Sequence, residues 1–428
     1  MNRSLLKRRL VEQKEEADII LNQNLVKRQK QDELLKTLDA PLVKVIIGPR
    51  RSGKTVLSLQ AEAAREAEYY YINFDDEILG SIVPEEFNLL LELLIELFGK
   101  KNNLILDEVQ NVDKWELFVN RLLRANYNII LTGSNSKLLS KELSSALTGR
   151  SLTIELFPFS FEEYLETKGI LASTDTTDTT SEIAQMRKNL NEYMETGGFP
   201  EVLLRLKDRG LQQKYLRELF DATIKRDVAH RYKIRFTREL IECAYVITSN
   251  FARRTSFRKL SKEIGISEHT LKKYTGYLEE TYLVLSVKRF SFKALEIEKS
   301  IRKYYSLDTG YIHAKGLLST KDSGFLMENL VAVELKRRGY EFYYYMFKDR
   351  YEIDFVIREN RKISEIIQVT DDEDGIRERE VSNGWEAAGE LNAERLTVIT
   401  WYHEDEEVRE NIRIHYIPLW KWLLKIFS

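Results

Sequence analysis

The stretch that decides the fold is VKVIIGPRRSGKTVLSLQ, residues 43–60. It contains a match to the pattern G-x-x-x-x-G-K-[ST], formed by Gly48, Pro49, Arg50, Arg51, Ser52, Gly53, Lys54 and Thr55. Glycines in such a loop let backbone N–H groups converge on phosphate oxygens at the N-terminus of the following helix. We expect Lys54 to reach the β- and γ-phosphates of a nucleotide and Thr55 to hold Mg²⁺. The sequence therefore predicts a nucleotide-binding loop between a strand and a helix.

Five apolar runs of strand length occur in the first part of the chain, with helical stretches between them. They are VKVIIG (43–48), YYYINF (69–74), NLILDE (103–108), NIILTG (128–133) and SLTIEL (151–156). Alternating strands and helices predict an α/β fold with a parallel sheet covered on both faces. The first 40 residues have apolar positions at helical spacing, and we expect this helix to stop at Pro41.

Acidic and polar residues end the third and fourth of these runs. Asp107 and Glu108 are the last two residues of the third run, and Ser134 and Asn135 follow the fourth. Asp107 suits the outer coordination sphere of Mg²⁺, and Glu108 is placed to polarise an attacking water. Thr132, Ser134 and Asn135 are expected near the mouth of the site, where a polar side chain could sense the γ-phosphate. An ordinary acidic turn is the alternative for the Asp-Glu pair, but the pair ends an all-apolar strand downstream of a phosphate loop, which favours the catalytic interpretation.

The order of strand, phosphate loop, Asp-Glu pair, polar strand tip and Arg150 before the fifth run resembles the AAA+ ATPases. The segments VIIGPRRSGKT, LILDEVQN, ILTGSNSKLLS, LTGR, LFPFSFEEYL and GGFPEV together resemble the archaeal-type AAA ATPase family, whose members often carry a helix-turn-helix and a C-terminal nuclease-like domain. The resemblance implies ATP and Mg²⁺ as ligands, with Lys54 and Glu108 as catalytic residues. It also implies that Arg150 is an arginine finger acting on a neighbouring subunit's nucleotide. A homo-oligomer is expected, with a hexamer as one candidate.

The middle third reads as a helix-turn-helix followed by a strand pair, which is the pattern of a winged helix. In SFRKLSKEIGISEHTLKKYTGYLEETYLVLSVKRFSF, Ser267 caps the second helix, and His269, Lys272 and Lys273 are expected to remain exposed on it. Residues 251–293, which include Arg253 and Arg254, hold ten Lys and Arg against four Asp and Glu. Local positive charge of this kind is the footprint of phosphate-backbone contacts, so these five residues are the predicted DNA contacts. A protein–protein role for the winged helix stays open.

The last third begins with a helix that carries Glu328 and continues with three predicted strands over EFYYYMFKDRYEIDFVIRENRKISEIIQVT. Strand alternation predicts Glu352 and Asp354 on one face, with Ile353, Phe355 and Ile357 on the other. The order of elements resembles the PD-(D/E)XK nuclease fold, and the resemblance places Glu328, Asp354 and Gln368 at a vestigial nuclease site.

The lysine of those nucleases is missing from its usual place, because Thr370 occupies that position. Lys336 is the nearest lysine on the Glu328 helix, but eight residues of helix separate the two by roughly 12 Å. We therefore expect a degenerate nuclease domain that cuts no DNA and is retained for DNA contact, assembly or partner binding.

Length and charge bound the remaining possibilities. The chain has 428 residues, enough for about three domains. We expect an N-terminal helical segment over 1–40, an ATPase domain with a helical lid over 41–235, a winged helix over 236–318 and the nuclease-like domain over 319–428. The formal charge of −2 shows no global excess for a nucleic-acid or membrane partner. Cys243 is the only cysteine, and no segment resembles a signal peptide or a membrane span, so a cytoplasmic protein is expected.

The function predicted from these features is ATP hydrolysis coupled to remodelling or translocation of DNA. Two alternatives stay open. One is a nucleotide-controlled switch that acts on a protein partner, and the other is an ATP-dependent DNA nuclease. DNA-stimulated ATP turnover favours the first function, and slow turnover that is insensitive to DNA favours the switch.

Overall fold

The computed structural model describes residues 2–134, 147, 149–171, 179–235, 237–319, 322–371 and 378–425. The chain divides into two compact units, Met1–Pro158 and Phe159–Ser428. Within the described ranges, no helix is long and apolar enough to cross a membrane.

The first unit is built on a parallel sheet of five strands, as the sequence predicts. The strands are β1 (Val43–Ile47), β2 (Tyr69–Asn73), β3 (Asn103–Asp107), β4 (Asn128–Gly133) and β5 (Ser151–Glu155). Their order across the sheet is β2-β3-β4-β1-β5, and every pair is parallel. All five strands are parallel, and only β4 lies between β1 and β3. The C-terminal ends of β1 and β3 therefore lie close together at the same edge of the sheet, the edge formed by the C-terminal ends of the strands. This edge carries the phosphate loop and the Asp-Glu pair.

Helices cover both faces of this sheet. They are α1 (Arg3–Leu21), α2 (Gln31–Thr37), α3 (Lys54–Ala64), α4 (Phe87–Phe98) and α5 (Trp115–Arg124). Successive side chains of a strand point to opposite faces, so Val45 and Ile46 of β1 belong to two different apolar clusters. The predicted covering of both faces is therefore confirmed.

The N-terminal segment differs from the single helix expected over the first 40 residues. α1 ends at Leu21 with Asn22 as its C-cap, and α2 begins only at Gln31. Asparagine has low helix propensity, and it occurs at positions 22 and 24. The irregular segment between the two helices carries Arg28, whose buried side chain reaches the phosphate loop.

The second unit begins with helices and continues with a small antiparallel sheet. Its first helices are α6 (Phe161–Thr167), α7 (Thr180–Thr196), α8 (Pro200–Arg205) and α9 (Arg209–Ala222), and a π-helical stretch follows over Thr223–His230. Next come α10 (Thr237–Ser249), β6 (Arg253–Thr255), α11 (Phe257–Ile264), α12 (Glu268–Glu280), β7 (Val284–Val287), α13 (Ala294–Lys299), β8 (Arg302–Ser306) and α14 (Thr309–Lys315). The strand order is β6-β8-β7, so β8 is central.

The C-terminal part of the second unit holds a mixed six-stranded sheet. Its elements are α15 (Ser323–Arg337), β9 (Glu341–Phe347), β10 (Tyr351–Glu359), β11 (Lys362–Val369), α16 (Glu378–Leu391), β12 (Arg395–Thr400), β13 (Asp405–Arg409), β14 (Ile412–Pro418) and α17 (Leu419–Leu424). The strand order is β13-β14-β12-β11-β10-β9. Strands β9, β10 and β11 are antiparallel neighbours, and β11, β12 and β14 are parallel. The three strands predicted after the Glu328 helix are therefore present.

The predicted alternation along β10 is wrong at one point. The register with β9 shifts between Ile353 and Val356, which marks a β-bulge. Ile353 consequently packs in one apolar cluster with Val356, whereas Phe355 and Ile357 pack in another. A bulge changes the direction of the side chains beside it, and Asp354 lies inside this one.

Candidate functional site

The phosphate loop is shaped by two glycines, one where two backbone segments pass closely and one with a left-handed backbone conformation. A Cβ on Gly48 would lie 2.0 Å from the carbonyl oxygen of Leu156, so β1 and the chain beyond β5 pass too closely for a side chain. Gly53 has a φ of +92° and forms the N-cap of α3. A left-handed backbone of this kind favours glycine. The loop therefore places the N-terminus of α3, with its unsatisfied N–H groups, at the edge of the sheet.

Lys54 and Thr55 begin α3 and point toward the ends of neighbouring strands. Lys54 is 4% exposed, and its Nζ donates to the carbonyl oxygens of Gly48 (3.2 Å) and Pro49 (3.0 Å). The same Nζ lies 3.7 Å from Oε1 of Glu108. The Thr55 hydroxyl donates to Oδ2 of Asp107 at 2.8 Å. Residues more than fifty positions apart thus meet as the sequence predicts for a nucleotide site.

Asp107 is held by hydroxyl groups in a fully buried position. The Thr132 hydroxyl donates to its Oδ1, and the Tyr71 hydroxyl donates to its Oδ2 at 3.1 Å. Burial raises the pKa of Asp107 to about 6, and the neighbouring Glu108 carboxylate adds to the rise. A carboxylate this costly to desolvate is stabilised when a cation approaches it.

Glu108 has an unusual backbone conformation that turns its side chain toward Lys54. Its φ is 50° and its ψ is 42°, in the left-handed region, which costs a non-glycine residue about 1–2 kcal/mol. Its N–H donates to the Thr132 hydroxyl at 3.1 Å. Burial alone would raise the pKa of Glu108, but the Lys54 ammonium and the Gln110 amide outweigh it, so the pKa is lowered. The Lys54 ammonium and the Gln110 amide therefore favour the ionised form of Glu108.

The donor set suits a nucleotide with Mg²⁺. Oγ of Ser52 is buried in the loop and has no hydrogen-bond partner among the described residues, and phosphate oxygens are good acceptors for such a group. Within the part of the chain that the structure describes, no three His, Cys, Asp or Glu residues are grouped to hold a metal. Mg²⁺ in nucleotide sites needs only one or two protein oxygens besides phosphates and water, which Thr55 and Asp107 supply.

Arg28 belongs to this site, although sequence reasoning missed it. It is 3% exposed, and its guanidinium donates to the carbonyl oxygens of Ser52 and Phe157, both at 2.7 Å. It thereby connects the N-terminal segment to the phosphate loop and to the chain after β5. Arg28 occurs in the basic run VKRQK, and nothing local distinguishes it from an exposed arginine.

The other predicted residues of the first unit lie around the loop or beyond it. Arg50 pairs with Asp75 at 3.0 Å, and Arg51 is exposed with a φ of 66°. Ser134 is buried after β4 and its hydroxyl contributes to lowering the pKa of Glu108, whereas Asn135 lies outside the described residues. Arg150 is exposed directly before β5. Because β5 is parallel to β1, Arg150 lies at the N-terminal ends of the strands, whereas the phosphate loop follows their C-terminal ends.

The predicted DNA contacts of the second unit fall into two groups. On α12, Ser267 caps the helix through the N–H of Thr270 (3.0 Å), and His269, Lys272 and Lys273 are exposed as expected. On β6, Arg253 pairs with Asp322 at 2.9 Å and Arg254 pairs with Glu352 at 3.1 Å. The β6 arginines therefore bind carboxylates of the C-terminal part, while the α12 side chains face solvent.

One predicted nuclease residue, Glu328, contacts a buried lysine that the sequence did not identify, and the other two, Asp354 and Gln368, contact each other. Lys303 of β8 donates to Oε1 of Glu328 at 2.5 Å and to Oε1 of Glu352 at 2.8 Å. The N–H of Asp354 donates to Oε1 of Gln368 at 3.4 Å. Burial raises the pKa of Asp354 well above its usual range, and the Glu328 carboxylate raises it further. Thr370 is buried beside β12, where its N–H donates to the Ile399 carbonyl at 2.9 Å.

Comparison with known protein families divides the chain into three parts. Residues 40–165 match an AAA domain, residues 187–322 match a domain of unknown function (DUF8612), and residues 323–422 match another (DUF4143). The first unit therefore carries an AAA-type domain with a phosphate loop.

Two relatives are similar over most of their length. An uncharacterized protein of Methanocaldococcus jannaschii, MJ1544, is 35% identical over 398 residues, with 89% of this chain and 88% of the relative covered. An uncharacterized protein of Haemophilus influenzae is 32% identical over 351 residues, with 79% and 84% covered. Among solved structures, the Thermotoga maritima RuvB Holliday junction branch migration motor has 15% identity and a TM-score of 0.31, with 69% of this chain and 96% of that chain covered.

Proposed function

This chain belongs to the family that includes the M. jannaschii protein MJ1544, and from the geometry of its own site we propose that it binds and hydrolyses ATP. The observation that carries the proposal is the meeting of Lys54, Thr55, Asp107 and Glu108 at the edge of the parallel sheet. An AAA-type domain over residues 40–165 supports it. We propose further that turnover changes how the second unit holds DNA.

In this mechanism the loop backbone and Lys54 bind the β- and γ-phosphates. Among the described residues, Lys54 bonds only to loop carbonyls and to Glu108, so phosphate oxygens would replace weak contacts rather than a strong ion pair. Thr55 and Asp107 would hold Mg²⁺, which neutralises phosphate charge when bound. Glu108, released from Lys54 and kept ionised, accepts a proton from the attacking water. The Thr132 hydroxyl holds the Asp107 carboxylate and the backbone N–H of Glu108 in place.

The test separates binding from chemistry. Lys54→Ala is expected to lose ATP binding, while Glu108→Gln retains binding and loses at least about 100-fold in turnover, because a positioned general base contributes that much. Glu77→Gln is the matched control, since Glu77 is exposed in the same unit. Steady-state phosphate release and ATP titration measure the two effects. Undiminished turnover in Glu108→Gln would contradict the assignment.

Binding of DNA is proposed for the exposed face of α12. The order α10, β6, α11, α12, β7, α13, β8 supports this proposal, because it differs from the order of a winged helix only by the short helix α13 between the two strands of the wing. In a helix-turn-helix the second helix enters the major groove. Leu271, Tyr274 and Leu278 are buried, which leaves Lys272 and Lys273 to face a ligand.

The salt dependence of affinity tests this interface. Lys272→Glu with Lys273→Glu should weaken binding to duplex DNA and lower the log–log salt slope by about 0.9 for each phosphate that the variant no longer binds. Lys207→Glu with Lys214→Glu makes the same charge change at exposed positions on another surface. An unchanged slope in the α12 variant, with DNA-insensitive ATP turnover, would favour the alternative switch that acts on a protein partner. Arg253 and Arg254 pair with carboxylates of the same chain, so two of the five predicted DNA contacts are already engaged, which weakens the case for DNA relative to this alternative.

Assembly through Arg150 is proposed from its place in the sheet. Arg150 precedes β5, whereas the phosphate loop follows the far end of the parallel strand β1. Five strand residues span about 16 Å, too far for Arg150 to serve its own nucleotide. We propose that it acts on a second copy of the chain. Arg150→Ala should keep nucleotide affinity and lose hydrolysis, and mixing it with Glu108→Gln should restore part of the activity. A monomer with full turnover in Arg150→Ala would refute this.

A further inference from the structure

Lys303 is a buried cation that contacts Glu328, the helix carboxylate that the nuclease resemblance singled out, and Glu352 of β10. It is 1% exposed and lies on the central strand β8, two residues before Tyr305 on the same face. The Tyr305 hydroxyl donates to the same Oε1 of Glu328 that Lys303 contacts, at 2.6 Å. Glu352, the second partner of Lys303, also forms an ion pair with Arg254.

A divalent cation does not fit this arrangement. A nuclease metal would need oxygens of Glu328, Asp354 and Gln368, and each of these side chains already has an oxygen engaged by the protein. Oδ2 of Asp354 accepts from the N–H of Val369 at 2.8 Å, and Oε1 of Gln368 accepts from the N–H of Asp354. Gln368 also offers a neutral amide where the resembled site has a carboxylate. The described residues contain no cluster of three metal-ligating side chains.

We infer that the Lys303 ammonium takes the position of the divalent cation in this nuclease-like fold, so the domain carries its own cation and takes up no metal. A lysine bonded to two carboxylates supplies a fixed, protein-borne charge where the resembled site would bind a cation from solution. Water activation by a bound metal is thereby lost, and the domain does not hydrolyse DNA.

The same ammonium joins two parts of the second unit. Lys303 and Tyr305 of β8 bind Glu328 of α15, and Asn329, the next residue, exchanges hydrogen bonds of 2.8 Å with the N–H and carbonyl of Ser306. The ion cluster of Lys303, Glu328 and Glu352 therefore connects the small sheet to the C-terminal sheet. Removing one partner of a buried pair leaves an uncompensated charge, so loss of Lys303 should weaken this connection.

Metal binding by the full-length chain without nucleotide tests the inference. Equilibrium dialysis against Mn²⁺ should give the same stoichiometry for the wild type and for Asp354→Asn, because the cluster holds no metal. Lys303→Met removes the ammonium and leaves an apolar side chain of similar length. It should bind about one additional Mn²⁺, because the Glu328 and Glu352 carboxylates lose their ammonium partner and, together with the Asp354 carboxylate, attract a hard cation. The double variant Lys303→Met with Asp354→Asn should lose this additional ion.

Two results would overturn the inference. One is wild-type Mn²⁺ binding that Asp354→Asn removes, which would mean that the metal displaces Lys303. The other is a folded Lys303→Met variant that gains no Mn²⁺. If Lys303→Met does not fold, the comparison of wild type with Asp354→Asn decides by itself. Cleavage of labelled linear, flapped or four-way DNA in Mg²⁺ or Mn²⁺ that disappears in Asp354→Asn would likewise refute it.

Discussion

Replacing Arg28 should weaken nucleotide binding although Arg28 need not touch the nucleotide. Its guanidinium holds the carbonyl of Ser52 inside the phosphate loop and the carbonyl of Phe157 after β5, both at 2.7 Å. Arg28→Ala leaves both buried carbonyls without these donors. The loop then no longer has the hydrogen bond that fixes Ser52 immediately before Gly53.

The size of the effect follows from these two bonds. A hydrogen bond from a charged group contributes about 1.5–3 kcal/mol, so their loss costs about 3–6 kcal/mol of the stability of the first unit. Without these bonds the nucleotide-free loop becomes less ordered, and nucleotide binding must then restore part of that order. If about 1.4–2.8 kcal/mol of the cost must be restored on binding, ATP affinity falls about 10–100-fold. Arg28→Lys can supply only one of the two bonds, because an ammonium lacks the planar fork of a guanidinium. Its ATP affinity should therefore lie between those of the wild type and Arg28→Ala.

Titration with a fluorescent ATP analogue and thermal unfolding with and without nucleotide measure the prediction. Lys27→Ala is the control, because Lys27 is the exposed neighbour of Arg28 and pairs at the surface with Asp32. Because Arg28 acts through the loop backbone and not on the reacting atoms, Arg28→Ala should raise KM for ATP and change kcat little. Wild-type affinity in a folded Arg28→Ala variant would show that the connection does not shape the loop.

Further predictions concern packing and titration. Gly48→Ala should lower the unfolding midpoint of the first unit and weaken nucleotide binding, because its Cβ would lie 2.0 Å from a backbone oxygen; a Gly99→Ala variant, whose Cβ would meet no described atom within 4 Å, is the control for close contact. The thiol of Cys243 is buried and burial raises its pKa to about 12, so at pH 8 it should react with a disulfide reagent on the order of 10³-fold more slowly than a free thiol until the second unit unfolds. Rapid reaction of the native chain would contradict this. Burial lowers the pKa of Lys44 to about 8, so between pH 8 and about 10.4 the unfolded chain binds more protons and the stability attributable to Lys44 rises with pH, by up to about 3 kcal/mol. Denaturant unfolding of wild type and Lys44→Met over this range should show that rise only in the wild type.

The sequence by itself determined the features that depend on neighbouring residues. The five strands of the first unit, the phosphate loop and the acidic end of β3 were readable because apolar runs, glycines and polar strand ends carry local constraints. The same reasoning located the capped helix α12 and its exposed lysines, since a 3.6-residue period and an N-cap are both local. Three strands after the Glu328 helix followed in the same way.

Only the tertiary structure decided which distant side chains share a site. Arg28 reaches Phe157 across 129 positions, and Lys303 reaches Glu328 across 25, from a strand assigned by sequence to a different domain. No period or motif encodes these contacts, because a buried lysine or arginine looks like a surface residue until its partners are known. The bulge at Asp354 is similar, since register depends on both paired strands. Local sequence patterns specify helices, strands and turns. Whether a charged side chain is buried depends on which distant residues pack around it in the folded chain.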